Sequence, residues 1–304
     1  ISIFPDDGEE SETLLKNADI AMYHAKKLGK GHYQFFHSAM ALKTKKRLEM
    51  ETFMHFAVEK NELRLHYQPV MDAITGRLIG AEALMRWQSP QLGFLPPNDF
   101  ISLAEENGMI NQFGEWAIKE VCRQHRIWRS QGLNNLTVSV NLSSLQFNQP
   151  SFVPFVAKTI KEYEMTPECL IFELTETVIM ADTDKMLNKL KQLKNLGVKL
   201  SIDDFGTGYS SLRYLNRFPL DSLKIDRTFV EKLPENNDAV AIINAILALA
   251  KALNLKTIAE GVETDLQNDF LKKTTCDAIQ GYFYSKPMPI EEFQQFWHQQ
   301  KVVA

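Results

Sequence analysis

From residue 64 onward, short apolar runs that end in a polar side chain alternate with longer stretches whose apolar positions recur at helical spacing. The runs predict strands over Arg64–Val70, Leu78–Leu84, Leu136–Asn141, Leu170–Leu174, Lys199–Asp203, Ser222–Ile225, Lys256–Ala259 and Ala278–Gln280. Between the later ones, Phe152–Glu164, Thr183–Leu196, Asp238–Leu253 and Thr264–Lys273 read as helices. Asp72 to Arg77 is too short for a crossover helix, so the first two strands are expected to pair antiparallel as a hairpin. The rest alternate β with α, which calls for a parallel sheet, and eight strands over about 250 residues is the size of an α/β barrel.

The first 61 residues pattern differently. Ile1 to Phe4 reads as a strand stopped by Pro5-Asp6-Asp7-Gly8. Ser11 to Leu28 reads as a helix with Leu14, Leu15, Ala18, Ala21, Met22 and Ala25 at helical spacing, and His32 to Phe36 as a second strand. A β-α-β piece of this size buries little surface alone, so it is expected to be the tail of a longer domain. Ser38 to Glu62, rich in Lys, Glu and Met with no Pro or Gly, reads as a linker helix. The expected domains are therefore 1–37, 38–61 and 62–304.

Composition is that of an ordinary globular protein, 44% hydrophobic and 24% charged. A net charge of −4 gives no footprint for a nucleic-acid polymer or an anionic membrane, so an anionic substrate would need local cations. Cys122, Cys169 and Cys276 are far apart, with no CxxC pair. Free thiols in a reducing cytoplasm are expected. The amino-terminal residues lack the layout of a secretory signal, and Ala239 to Ala250 falls short of the roughly 20 residues of a membrane span.

Chemistry enters through what ends the strands: Glu82, Asn141, Glu173, Asp203-Asp204, Lys224, Glu260 and Gln280. Charged or metal-type side chains recurring there cost stability unless the ends converge on one site. Adjacent carboxylates such as Asp203 and Asp204 repel unless a cation lies between them; a turn cap is the plainer reading. Glu82 and Glu173 sit in runs apolar enough to be buried, so each must be ion-paired or ligating. Asn141 is either a strand-end turn former or an oxygen donor, and Glu260 a helix cap or a ligand. Lys224 is either half of a buried ion pair or a cation beside water or a phosphate. Arg86, four residues past Glu82, is a surface residue or a bidentate phosphate grip. Gly206 and Gly208 make a flexible loop without a nucleotide fingerprint. Taken together, an oxygen set from five strand ends suits Mg²⁺ or Mn²⁺, and no His pairing favours zinc.

The strand ends lie within longer blocks: Gly80–Trp87 (GAEALMRW), Tyr67–Val70 (YQPV), Val140–Ser143 (VNLS), Phe172–Glu176 (FELTE), Asp203–Ser211 (DDFGTGYSS), Leu223–Asp226 (LKID), Ala259–Glu263 (AEGVE) and Gln280–Tyr282 (QGY). Together these blocks resemble the EAL-domain cyclic di-GMP phosphodiesterases. Asn17 to Lys30 resembles the last part of a GGDEF diguanylate cyclase domain; the GGDEF loop itself is not in this chain.

The resemblance implies a modified TIM (β/α)8 barrel with its first strand antiparallel, in the cytoplasm. It implies hydrolysis of one phosphodiester of cyclic di-GMP, giving linear pGpG, with two divalent ions. By motif, Glu82, Asn141, Glu173 and Asp203 would hold one ion, and Asp203, Asp204 and Glu260 the second. Lys224 would hold or help deprotonate the attacking water, with Gln280 beside it. Glu260 and Glu176 join that catalytic group, Glu176 by ordering the loop after Asp204. Gln68 and Arg86 would contact substrate, with Glu263 just behind the ligands. A homodimer through the elements around that loop is implied as well. The alternative, a receptor that binds cyclic di-GMP without cleaving it, is disfavoured because every ligand position keeps its working residue. A barrel enzyme for another phosphoester would fit the metals but not the whole set of motifs.

Overall fold

The structure, a computed structural model, describes residues 1–29, 31–176, 183–207, 215 and 217–303. Lys30 of the GGDEF-like motif, and Gly208 to Ser211 of the block after Asp203, lie outside these residues. The backbone gathers into two compact units, Ile1–Lys60 with Ser89–Gly93, and Asn61–Gln88 with Phe94–Ala304.

In the first unit, α1 (Ser11–Lys27) and α2 (Ser38–Met54) pack together, burying Ala21, Ala25, Met50 and Met54. The two strands expected around α1 do not form. Asp7 takes both backbone groups of Ile3 in a turn, its Oδ2 accepting from Ile3 N at 2.7 Å and its N–H donating to Ile3 O at 2.8 Å. Among the described residues, only Phe36 N to Ile1 O and the terminal amine to Gln34 O then link the segments, too few bonds for a ladder. The linker helix is also shorter than expected. It closes at Met54, where Phe56 and Ala57 bond three residues back, and turns follow to Asn61 at φ 53°.

The second unit is the expected barrel. Its strands are β1 (Leu63–Asp72), β2 (Leu78–Ser89), β4 (Thr137–Asn141), β5 (Leu170–Thr175), β6 (Lys199–Phe205), β7 (Ser222–Ile225), β8 (Lys256–Ala259) and β9 (Ala278–Ile279), with β3 (Gly93–Leu95) added outside the ring. Sheet order is β1-β9-β8-β7-β6-β5-β4-β2-β3, and β1 pairing with β2 closes it. β1 runs antiparallel to both neighbours; the other ring pairs are parallel. β2 runs past its expected end because the hairpin ladder continues to Leu63 opposite Trp87, whose indole N–H donates to the buried Glu62 at 2.9 Å.

Helices α3 (Pro97–Glu106), α4 (Ile110–Ser130), α5 (Ser144–Asn148), α6 (Phe152–Tyr163), α7 (Thr183–Asn195), α8 (Arg227–Val230), α9 (Asn237–Ala252), α10 (Asp265–Lys272) and α11 (Ile290–Val303) occupy the connections and the chain end. Their starts are written locally. Ser143 with Gln146, and Thr264 with Gln267, form capping boxes, while Asn236 accepts from Ala239 N. The buried apolar faces of these strands and helices form one core, which includes Val138, Leu170, Phe172, Leu200, Leu223, Ile118, Val121 and Phe293. Tyr67, Trp128 and Phe293 close it near the hairpin with ring centroids 5.0 to 5.8 Å apart. Among the described residues no helix is long and apolar enough to cross a membrane.

Candidate active site at the carboxyl ends of the strands

Lys224 is the centre of the site. It lies in β7, whose every residue is buried, and is itself 1% exposed. Its Nζ lies 2.8 Å from Glu173 Oε2, 2.5 Å from Glu260 Oε1, and 3.3 Å from both Glu82 Oε2 and Asp203 Oδ1. Parallel register explains the convergence: Asn141 of β4 sits opposite Glu173 of β5, and Thr175 opposite Asp203 of β6. Asn141 donates to Glu82 Oε1 at 2.7 Å, and Gln280 Nε2 donates to Glu82 Oε2 at 2.6 Å and to Gln68 Oε1 at 2.9 Å. Four carboxyl groups around one ammonium leave more acid than the lysine can neutralise.

Adjacent strand residues point to opposite faces, so Asp203 and Asp204 should not share a site. The ladder between β6 and β7 slips between Ile202 and Phe205, and Asp204 takes the left-handed conformation at φ 54°. That break brings carboxylate oxygens of Asp203, Asp204 and Glu260 within 4.8 Å of one another.

The charges respond accordingly. Burial opposes Lys224's charge, but Glu173, Glu260, Glu82 and Asp203 outweigh it and hold the ammonium well above its ordinary value. Burial pushes Glu173 well up; Lys224 pulls it back, and Glu82, Asp203 and Glu260 push it up again. Glu260 is pushed to about 8 by burial and, against Lys224, by Asp203 and Glu82. Asp204 is raised by burial, then by Asp203 and Asp226. In Glu82 burial is overcome by Lys224 and by hydrogen bonds from Gln280 and Asn141, so its carboxyl is lowered.

A divalent pair fits this donor set. One lysine cannot neutralise the acids, Glu260 would take a proton near neutral pH without further cations, and Gln280 Oε1 is buried with no partner among the described residues.

Two cavities open on the cluster and share Leu84 and Asp203. One, about 600 Å³, is mostly apolar, with Pro97, Ile101, Asn141 and Asp204 in its wall. The other, about 230 Å³, is lined by Gln68, Glu82, Lys224, Glu260, Glu263 and Tyr282 among others.

The structure thus brings Glu82, Asn141, Glu173, Asp203, Asp204, Lys224, Glu260, Gln280 and Gln68 together. Glu263 is exposed, on the smaller cavity's wall. Arg86 donates from Nη1 to Met85 O at 2.8 Å and lines neither cavity, but it stands near enough to Glu82, on the smaller cavity's wall, to interact with it electrostatically. Glu176 is buried with neither oxygen partnered among the described residues, and most of the loop assigned to it lies outside them. Sequence reasoning missed Arg227, which lines the smaller cavity; its position directly after the Lys224–Asp226 block was the available signal.

The EAL domain profile matches residues 53–287. The chain is 46% identical over 292 residues to the bifunctional diguanylate cyclase/cyclic di-GMP phosphodiesterase MucR of Pseudomonas aeruginosa, covering 96% of this chain and 43% of that protein. It is 38% identical over 297 residues to the cyclic di-GMP phosphodiesterase PdeR of Escherichia coli, covering 98% of this chain and 45% of that one. The chain spans less than half the length of these curated relatives. A solved structure of the PaMucR phosphodiesterase, a c-di-GMP complex, superposes with a TM-score of 0.78 at 46% identity, covering 81% of this chain and 99% of that one. With the profile spanning most of its length and the barrel rim holding the expected side chains, this chain belongs to the EAL-domain family.

Proposed function

We propose that this chain hydrolyses one phosphodiester of cyclic di-GMP to linear pGpG, lowering the level of a second messenger, with Mg²⁺ or Mn²⁺ as cofactor. The observation that carries the reading is the ring of carboxylates from four strands around Lys224, open to two cavities. MucR and PdeR, named as cyclic di-GMP phosphodiesterases, support the substrate. Glu82, Asn141, Glu173 and Asp203 would hold one ion, and Asp203, Asp204 and Glu260 the other; hard oxygen donors favour Mg²⁺ or Mn²⁺. When bound, such a pair supplies Lewis-acid polarisation of the phosphoryl oxygens and lowers the pKa of water. Lys224 keeps a positive charge at the centre, orients the attacking water and steadies charge building on the phosphoryl group. Gln280 holds Glu82 in place through Nε2, and its Oε1 is left without a partner among the described residues.

Residues 1–37 would be the carboxyl-terminal piece of a GGDEF domain, 38–61 a linker and 62–304 the phosphodiesterase. The match to MucR, whose name includes diguanylate cyclase, extends well outside residues 53–287 and supports that division. Three buried free cysteines suit a cytoplasmic setting. A homodimer through the elements around the loop after Asp204 rests on the family resemblance, and sedimentation of the purified chain tests it.

The activity is tested by incubating the chain with cyclic di-GMP and Mg²⁺ or Mn²⁺, with and without chelator, and following products by chromatography. Linear product that vanishes with chelator is expected. Tight binding without product would make the chain a receptor instead.

A further inference from the structure

Arg227 opens α8, one residue after the Lys224–Asp226 block, and shares the smaller cavity with Lys224, Glu260 and Tyr282. Its side chain is exposed and, among the described residues, forms no ion pair or side-chain hydrogen bond, although Glu260 and Glu263 line the same cavity. The stem is fixed at its root. A Cβ on Gly261 would fall 2.5 Å from Arg227 Cβ and 3.3 Å from its Cα, so the glycine, at φ +68°, lets the arginine pack flush on the rim. Arg86, the guanidinium that the sequence singles out, is bound to a backbone carbonyl and lines neither cavity.

The divalent pair proposed above and Lys224 would serve the phosphate being cleaved, and the second phosphate of the dinucleotide needs a cation of its own from the cavity wall. A planar guanidinium is the side chain best shaped to take two phosphate oxygens at once. We infer that Arg227 grips a phosphate of the bound cyclic dinucleotide, a substrate-positioning contact supplied from the first residue of α8, just beyond the strand that carries Lys224. This rests on the phosphodiesterase reading above. Because the guanidinium touches the substrate from the cavity wall and has no partner in the fold among the described residues, its loss weakens binding and leaves folding alone.

The test compares the wild-type chain with R227A and R227K in the Mn²⁺-supplemented hydrolysis assay and in thermal unfolding. R227A is expected to raise KM at least about tenfold, the size of one charge-assisted hydrogen bond, with kcat within about threefold and Tm unchanged. R227K, which keeps the charge without the fork, should recover part of the loss, and added ethylguanidinium should lower the KM of R227A. A KM within twofold of wild type, or a loss of Tm in place of a KM effect, overturns the inference. Should the wild-type chain bind cyclic di-GMP without cleaving it, the phosphodiesterase reading fails on its own. Equilibrium dialysis of labelled nucleotide then decides the arginine separately. A Kd at least about tenfold weaker for R227A keeps Arg227 as the phosphate contact, and an unchanged Kd removes it.

Discussion

Raising the pH of the chelated protein should destabilise it between pH 6.5 and 8. Glu260 titrates near 8 in the fold, against an ordinary value of 4.5. Across that interval the unfolded chain has released the proton that the folded state keeps, so stability falls as pH rises. At 1.36 kcal/mol per pH unit, and with Glu260 half titrated at pH 8, the fall is about 1.6 kcal/mol, and Glu173, also raised by burial, adds to it.

The window matters because other groups act outside it. His125, held at about 4 by burial and Arg129, loses stability as pH falls below 6.5, which slopes the opposite way. Buried thiols, with Cys276 near 11 and Cys122 near 12, act only above about 8.5. Lys224, raised above its ordinary value, stays protonated in both states throughout, and lowered Glu82 stays ionised in both. Urea unfolding in chelator at pH 6.5 and 8 measures the effect. Glu260→Gln should remove the Glu260 share of the slope, and saturating Mn²⁺, which needs ionised ligands, should abolish most of it. Stability that is flat or rising across the window in chelator would refute the charge assignment.

Three further outcomes follow from the same geometry. Lys224→Ala should lower kcat by about 100-fold or more, the scale of a positioned proton-transfer group. It should also cost the chelated protein about 3–5 kcal/mol, since buried carboxylates lose their cation, with Mn²⁺ restoring most of that in urea titration. Glu82→Ala should abolish turnover and weaken Mn²⁺ binding in calorimetry, because Glu82 joins Asn141, Gln280 and Lys224 in one network. Gly281→Ala would place a Cβ 2.0 Å from Val262 O and 2.3 Å from its N, both backbone atoms. A loss of about 3 kcal/mol in unfolding is expected, with reduced activity as the neighbouring Gln280 shifts.

Much of the barrel and its rim was legible because a charged residue inside an apolar run cannot be placed cheaply. Glu82, Glu173 and Lys224 each broke such a run, and each is buried in the cluster. The hairpin was legible from a connection too short to cross over. What stayed hidden depended on neighbours distant in sequence. Asp203 and Asp204 meet through a register slip that no local pattern encodes. Arg227 on the wall of the smaller cavity stayed hidden as well, since only its place directly after the Lys224–Asp226 block marks it. The strands expected around α1 failed because Asp7 captured the backbone of Ile3, which alternation in four residues cannot reveal.

Anomalous scattering from crystals soaked in MnCl₂ tests the shared metal site most directly. Two peaks are expected, one among Glu82, Asn141, Glu173 and Asp203, the other among Asp203, Asp204 and Glu260. A rim without manganese at saturating concentration, or manganese bound only elsewhere, would contradict a divalent centre built from these strand ends.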